Sequence, residues 1–500
     1  MDQIIFGGFD VFASWGAVLA VAVGTALGLV IGVLPGLGPL MGIVLLLPIA
    51  FQLPPIVGMG LLISIYVGGA CGGAISAILV RIPGTPMAAA TLLDGYPMAR
   101  AGRAHTAMSI AVSASAVGGL IGGVILVFLA PALAQFALRF GPAEYFALTV
   151  VGLITIALVG GENKINGLIS GVIGLLLATV GYDQFVSEPR FTGGSIYLLN
   201  GFNVVALVVG LFAISEVIFQ VMGGELSAKP KIPASRPSFS SSLIALKYPM
   251  NLFRSSSIGA GLGALPGTGG PIASFSAYAI TRSLSKNPER FGTGVEDGIV
   301  STESANNAAV GGALVPTLAL GVPGDPVVAV LMGALVILGF FPGPSLFEHN
   351  QEFVGGIFYS YIASNFMLFF LGIVMTPIFV ACIRLRKVTL LPLIVLLCML
   401  GVYSLESSIF DLWVMLVFGG VGFGLRAAGF PLAPLIVGFI LGPILESNFR
   451  RALVISGDDY WIFVESTLAF SLLSVAALAF ILVIFGKTVK QLLIRLIRPS

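Results

Sequence analysis

Apolar runs of about 20 residues recur from Val11 to Phe485, separated by short polar connections. Each is long enough to cross roughly 30 Å of hydrocarbon as a helix. The pattern predicts crossings near 56–93, 106–130, 143–160, 165–182 and 202–222 in the first half of the chain. In the second half it predicts crossings near 298–340, 354–383, 388–404, 411–426, 431–446 and 460–486. Two further apolar stretches, Val11 to Phe51 and Ser257 to Thr281, are interrupted at their centres by proline and glycine. The longest polar connection, Gly223 to Arg254, leaves no room for a separate soluble domain.

Basic residues orient these segments. They collect at Arg100 and Arg103; at Lys229, Lys231, Arg236, Lys247 and Arg254; at Arg282, Lys286 and Arg290; at Arg384, Arg386 and Lys387; and at Lys487, Lys490, Arg495 and Arg498. The positive-inside rule makes these connections cytoplasmic. The connections around Gln52 to Pro55, Asp183 to Asn200 and Phe341 to Glu352 hold one Lys or Arg between them, Arg190, and are expected outside. About eleven crossings then place the N-terminus outside and the C-terminus in the cytoplasm. Arg450 and Arg451 fall on the external side of this scheme, which puts the segment from Pro431 to Glu446 in question. Ser257 to Thr281 is flanked by basic residues on both sides and reads as a re-entrant hairpin from the cytoplasm, with its tip at Pro266 to Gly270. Val11 to Phe51 reads as a hairpin from outside.

The two interrupted stretches are related. Gly28 to Gly38 (GLVIGVLPGLG) and Gly259 to Gly269 (GAGLGALPGTG) align at an offset of 231 with six identities in eleven positions. Ile82 to Pro86 (IPGTP) and Val322 to Pro326 (VPGDP) follow at an offset of 240. One copy starts outside and the other inside, so the repeats are inverted. Paired broken helices in inverted repeats are the architecture of secondary transporters, with the breaks meeting near the bilayer midplane. Irregular backbone is tolerated at that depth only where protein encloses it or it lines a watery cavity. There the N–H groups of the second half-helix present about +0.5 charge to a ligand. Pro35, Gly36, Leu37 and Gly38, and Pro266, Gly267, Thr268, Gly269 and Gly270, are accordingly candidates for substrate binding. Gly28, Gly32, Gly259 and Gly263 have small-x-x-x-small spacing and are expected to pack helices.

Composition narrows the class further. Of 500 residues 57% are hydrophobic and 9% charged, and the net charge of +2 gives no reason to expect nucleic-acid binding. Cys71, Cys382 and Cys398 lie in apolar segments without metal or disulfide spacing. His105 and His349 fall in predicted loops on opposite sides, so no catalytic dyad is expected and the chain does not read as an enzyme. Neither an H-E-x-x-H motif nor a complete P-loop is present.

The richest polar stretch is EDGIVSTESANN, Glu296 to Asn307. Glu296 and Asp297 suit a helix start, while Glu303, Asn306 and Asn307 share one helical face. Polar groups at membrane depth face a cavity or a partner, which makes Glu303 and Asn307 candidates for a Na⁺ or H⁺ site and Asn306 for substrate. Asp325, in the second break, stands where the first copy has Thr85; both are candidate ion ligands. Asp325 also has the alternative of capping the helix that begins near Val327.

GVLPGLGPLMG, RIPGTPMAAATLLDGYP, GALPGTGGPI, ESANNAAVGGALVPTLALGVPGDP and FFPGP together resemble the large membrane subunit of the tripartite tricarboxylate transporters, the TctA family. The resemblance runs from about Gly24 to the C-terminus. It implies a multi-pass permease of the bacterial inner membrane that imports citrate or another carboxylate with Na⁺ or H⁺ and carries no other cofactor. It also implies two partners, a small TctB-like membrane subunit and a periplasmic TctC-like solute-binding protein, with homodimerisation left open. The expected fold is an all-α polytopic membrane protein working as an elevator-type carrier. Its parts are a first inverted repeat over 1–222, a cytoplasmic connection over 223–256, a second repeat over 257–446, and an extra C-terminal helix and basic tail over 447–500. A passive anion channel or a stand-alone carboxylate carrier is the alternative.

Overall fold

A computed structural model describes residues 2–34, 37–159, 163–183, 185–223, 241, 243–266, 269–383 and 387–481. Helices account for nearly all of it, in chain order α1 (Gln3–Phe12), α2 (Trp15–Val33), α3 (Gly38–Ala50), α4 (Pro55–Val80), α5 (Leu92–Met98), α6 (Ala104–Ala137), α7 (Pro142–Val159), α8 (Lys164–Ala178) and α9 (Val204–Met222). There follow α10 (Pro249–Gly263), α11 (Gly269–Leu284), α12 (Glu296–Leu320), α13 (Pro326–Ile337), α14 (Pro344–His349), α15 (Gln351–Val374), α16 (Thr376–Ile383), α17 (Lys387–Glu406), α18 (Ile409–Ala427), α19 (Leu432–Ser456), α20 (Ile462–Glu465) and α21 (Thr467–Ile481). Among the described residues, seven helices are long and apolar enough to cross a membrane: α2, α4, the run Leu92–Ala137 that contains α6, α9, α15, α18 and α19.

Met1–Ala137 and Val205–Gly420 form one compact unit. Its centre is α4, where 94% of the most apolar window is buried, as expected of a helix that is hydrophobic all round. Glycines set the packing. A Cβ on Gly28 would stand 2.5 Å from the Ile65 carbonyl oxygen, and one on Gly32 2.4 Å from that of Gly69, so α2 lies backbone to backbone against α4. The same contact recurs in the second half, where Gly259 meets Ala305 (2.2 Å) and Gly263 meets Ala309 (2.3 Å), joining α10 to α12. Both partners are displaced by the sequence offsets, 231 for the glycines and 240 for the carbonyls. The four glycines are helix-packing residues.

The contact order gives the directions. Gly28 and Gly32 advance with Ile65 and Gly69, so α2 runs parallel to α4. Gly69 meets Pro39 while Gly58 meets Ala50, so α3 runs back. Likewise α10 is parallel to α12, and α11 returns, with Gly270 beside Asn306 and Tyr278 beside Gly298. Each interrupted stretch is thus a helical hairpin. At 15 and 16 residues, α10 and α11 measure about 22–24 Å, short of a full hydrocarbon crossing.

The two copies point in opposite directions. Gly356 and Gly60 place α15 parallel to α4 through Ile56 and Ser360; Gly119 and Gly123 place α6 antiparallel to α15 through Asn365 and Tyr361; Gly118 and Gly122 place α6 parallel to α12 through Ser304 and Ala308. It follows that α4 and α12 are antiparallel.

Leu138–Val204 and Val421–Ser500 form the second unit. Here α7, α19, α20 and α21 share a core of Ala143, Ala147, Ala452, Phe463 and Ala469, with Phe146 and Phe449 packed against it. A two-stranded antiparallel ribbon, β1 (Gly181–Tyr182) and β2 (Pro189–Arg190), lies in the connection after α8. Helix α19 runs to Ser456 rather than ending near Glu446, which carries Arg450 into this unit. Its guanidinium pairs with Asp183 (2.8 Å) and Glu446 (2.8 Å), and Arg190 forks onto Glu446 at 2.7 and 3.1 Å. Arg450 is therefore charge-compensated in place, whereas Arg451 beside it is exposed.

Candidate functional site

Both hairpin turns are built on a left-handed glycine. Gly38 has φ +61 and Gly269 has φ +58, positions related by the offset of 231 and open to glycine without steric cost. Pro35, Gly36, Gly267 and Thr268 lie outside the described residues. What the structure places is the second half of each turn. Leu37 and Gly38 open α3, with no side chain capping it; Pro266 follows α10, and Gly269 and Gly270 open α11.

The breaks of the long helices correspond in the same way. After α4 the chain turns at Arg81 (φ 61), and after α12 at Gly321 (φ 69), the two left-handed positions being 240 apart. Thr85 and Asp325 then lead into Pro86 and Pro326. Each hairpin turn rests on its own break: a Cβ on Gly38 would lie 3.6 Å from the Thr85 methyl, and one on Gly269 3.7 Å from the Asp325 Cβ.

The two breaks differ in one respect. Asp325 Oδ1 accepts from the backbone N–H groups of Val327 and Val328, both at 2.9 Å, and α13 starts at once. Thr85 caps nothing; a 3₁₀ turn, Pro86–Ala88, follows and a full helix resumes only at Leu92. Asp325 is also held across the repeats, its second oxygen accepting from the Tyr66 hydroxyl of α4. Of its two sequence readings, the cap is the one the geometry satisfies.

Glu303, Asn306 and Asn307 are wholly enclosed, at 0–1% exposure, on the α12 face that meets the first repeat. The Asn306 amide donates to the Ala70 carbonyl (3.1 Å) and that of Asn307 to the Val67 carbonyl (3.4 Å), both on α4. A Cβ on Gly270 would stand 3.1 Å from Asn306 Oδ1 and 2.9 Å from Met87, so the second hairpin, the first break and α12 converge there. Three buried oxygens in this region have no hydrogen-bond partner: Thr85 Oγ1, Asn306 Oδ1 and Asn307 Oδ1. An acceptor left so is expensive unless a donor or cation fills it.

Glu303 is surrounded by hydroxyls. Thr91 donates to Oε1 and Ser115 to Oε2 (2.8 Å), while Thr91 also bonds Thr302 (3.0 Å). Among the described residues no cationic side chain pairs with it. No group of three or more His, Cys, Asp or Glu that could hold a metal ion occurs among them either.

A family model for the tripartite tricarboxylate transporter TctA family matches residues 18–437. The chain belongs to that family. As a TctA-family chain it is a membrane subunit of a transport system rather than a member of an enzyme family. An uncharacterized 52.8 kDa protein in the TAR-I ttuC' 3' region of Agrobacterium vitis is 40% identical over 455 residues, covering 91% of this chain and 90% of that protein. An uncharacterized protein in the TAR-II ttuC' 3' region of the same organism is 38% identical over 221 residues, 44% of this chain and 91% of that protein. No solved structure matches.

Four residues of this TctA-family site have no place in the sequence reading. Tyr66 precedes Asn306 by 240 and occupies its position in the first repeat, so the offset alone points to it. Thr91 lies within the RIPGTPMAAATLLDGYP motif. Ser115 sits in an unremarkable stretch of α6, and nothing in the pattern marks it. Asp94 is 1% exposed and accepts from the backbone N–H groups of Gly292, Gly294 and Val295 at 2.8–3.0 Å and from the Tyr278 hydroxyl at 2.9 Å. It ties the first repeat to the segment between α11 and α12. The histidines stand at helix ends rather than in loops, His105 in the first turn of α6 and His349 at the end of α14.

Proposed function

We propose that this chain is the large permease subunit of a binding-protein-dependent secondary transporter that imports a tricarboxylate or other carboxylate with Na⁺ or H⁺. The observation that carries the reading is the buried, cation-free carboxylate of Glu303 beside the unpartnered oxygens of Asn306 and Asn307. A carboxylate at membrane depth with only uncharged partners is costly while charged, and a proton or a small cation relieves that cost. The unpartnered oxygens suit Na⁺, a hard cation that takes oxygen ligands, and Thr85 adds a third.

The carboxylate substrate is assigned to the two hairpin turns. Backbone N–H groups at the start of α3 and α11 carry the positive end of a helix dipole, and Gly38, Gly269 and Gly270 allow close approach. Asn306 borders the same space. Pro35, Gly36, Leu37, Pro266, Gly267 and Thr268 complete the turns in this reading. Asp325 holds α13 and Tyr66 in position and is a cation ligand only secondarily.

Each unit of charge moved against 100 mV costs about 2.3 kcal/mol, so an anion entering a negative-inside cell requires at least matching cations. An elevator-type movement is supported by the chain's division, with both hairpins and both broken helices falling in one unit. A small membrane subunit and a periplasmic binding protein complete the system in the bacterial inner membrane, with the C-terminus in the cytoplasm. The test is citrate uptake into proteoliposomes holding all three subunits, under separate Na⁺ and H⁺ gradients. Accumulation above the external level under one gradient supports the reading. Uptake that only follows the citrate gradient, with or without the binding protein, replaces it with a passive channel.

A further inference from the structure

The base of the second hairpin, far from its tip, carries an open pocket of about 270 Å³ lined by Lys247, Tyr248, Asn251, Arg254, Thr281 and Asp297, among others. Arg254 lies nine residues before Gly263 on α10, about 14 Å along the helix axis. The pocket is therefore separate from the turns assigned to transport.

Asn251 and Tyr248 already have their polar partners. Asn251 Oδ1 accepts from Ser255 (2.7 Å) and Thr281 (3.0 Å), and its amide donates to the Asp297 side chain (2.6 Å) and carbonyl (3.0 Å). Tyr248 donates to Glu296 (3.1 Å). Arg254 is less fully paired. One Nη donates to Thr281 Oγ1 (3.1 Å) and, at 3.4 Å, to Asn251. Its Nε is buried without a partner, the other Nη donates to nothing described, and no carboxylate comes within 4 Å among the described residues. The nearby acid, Asp297, is hydrogen-bonded by Asn251 and shares the field of Arg254 without a direct contact to it. Lys247, exposed at the rim, adds a second positive charge.

A partly buried guanidinium with one Nη left free beside the pocket suits an anion, and guanidinium matches a carboxylate in both charge and planarity. The volume equals about nine water molecules' share of liquid, room for a small polycarboxylate. We infer that this pocket is a second carboxylate site, in which Arg254 and Lys247 hold a di- or tricarboxylate at the hairpin end opposite the tip. The inference rests on the carboxylate reading above. In its terms, this is the end that the basic clusters assign to the cytoplasm, so the site meets substrate after release. A bound anion bridges α10 to the segment before it and to the α11 side of the pocket, holding the hairpin base in one arrangement.

The test is equilibrium binding of radiolabelled citrate to the purified full-length chain in nanodiscs. The wild type is expected to show two classes of site, with Arg254→Gln weakening one by about tenfold or more. Asn306→Ala is expected to weaken only the other class. Lys247→Gln, at an exposed position, gives the same readout in smaller measure if Arg254→Gln does not fold. Unchanged binding in Lys247→Gln and in whichever Arg254 variant folds, Gln or Lys, overturns the inference, as does equal displacement of citrate by inorganic phosphate. Loss of the Asn306 class with the Arg254 class intact, or the reverse, shows which of the two assignments has failed.

Discussion

The hydroxyl of Tyr66, midway along the most buried helix of the first repeat, donates to the carboxylate of Asp325 in the break of the second. This bond joins two antiparallel copies at the point where one of them leaves helical geometry. Removing the hydroxyl with Tyr66→Phe leaves a buried carboxylate oxygen without its donor, at a cost of about 1–3 kcal/mol. Asp325→Asn keeps an acceptor for Val327 and Val328, whereas Asp325→Ala loses the cap, worth about 0.5–2 kcal/mol. Thermal unfolding in detergent is expected to rank the alanine variant below the asparagine variant. Equal stability or the reverse order would show that the cap does not hold α13.

Helix α10 supplies its own control for glycine packing. A Cβ on Gly259 would meet the Ala305 carbonyl at 2.2 Å, whereas one on Gly261 meets nothing within 4 Å. Gly259→Ala is expected to force α10 away from α12 at a cost of about 1–3 kcal/mol. Gly261→Ala is expected to be neutral or stabilising by up to about 1 kcal/mol, because alanine loses less entropy in a helix. Unfolding midpoints of the two variants check this directly.

Acid sensitivity in the second unit is expected to centre on Asp183. Its carboxyl is held below the usual carboxylate range, first by the backbone N–H of Phe185 and then by that of Val186 and by Arg450, against an opposing desolvation. A depressed pKa in the folded state contributes stability that is present above the ordinary carboxylate value and lost as pH falls through the folded one. Asp183→Asn is expected to flatten the acid limb of a stability-against-pH curve and leave the limb above neutrality unchanged. Parallel acid limbs in variant and wild type would contradict this.

Glu303 is expected to be tuned by its hydroxyl cage. Thr91→Val and Ser115→Ala each remove one donor to the carboxylate while keeping size and shape nearly unchanged. Each should raise the apparent cation affinity of uptake about tenfold or more, because a carboxylate that loses a hydrogen bond contributing about 1.5–3 kcal/mol to its charged form gains more from a bound proton or cation. Titrating uptake against Na⁺ and against pH in both variants measures this shift.

Much of this was legible in the residues, and for a definite reason. Glycines and prolines mark backbone geometry, so two copies that share a left-handed turn and a helix break keep Gly38 and Gly269, or Pro86 and Pro326, at fixed offsets. The helix-packing role of Gly28, Gly32, Gly259 and Gly263 follows from the same spacing. Contacts between the copies were not legible, because they depend on how α4 and α12 cross. The Tyr66–Asp325 bond and the Ser115 donor to Glu303 belong to that class. The pairing of Arg450 with Asp183 and Glu446 was not legible either, because it depends on how α19 meets the connection after α8.

The central claim is that α12 carries a cation site at Glu303 linked to carboxylate held between two opposed hairpins. The most direct measurement is the cation-activation curve of citrate uptake in proteoliposomes containing all three subunits, for wild type and Glu303→Gln. The account predicts that the wild type concentrates citrate when a Na⁺ or H⁺ gradient is imposed, and that Glu303→Gln, though folded, no longer responds to that gradient. Gradient-driven accumulation by Glu303→Gln with an unchanged activation curve would contradict it.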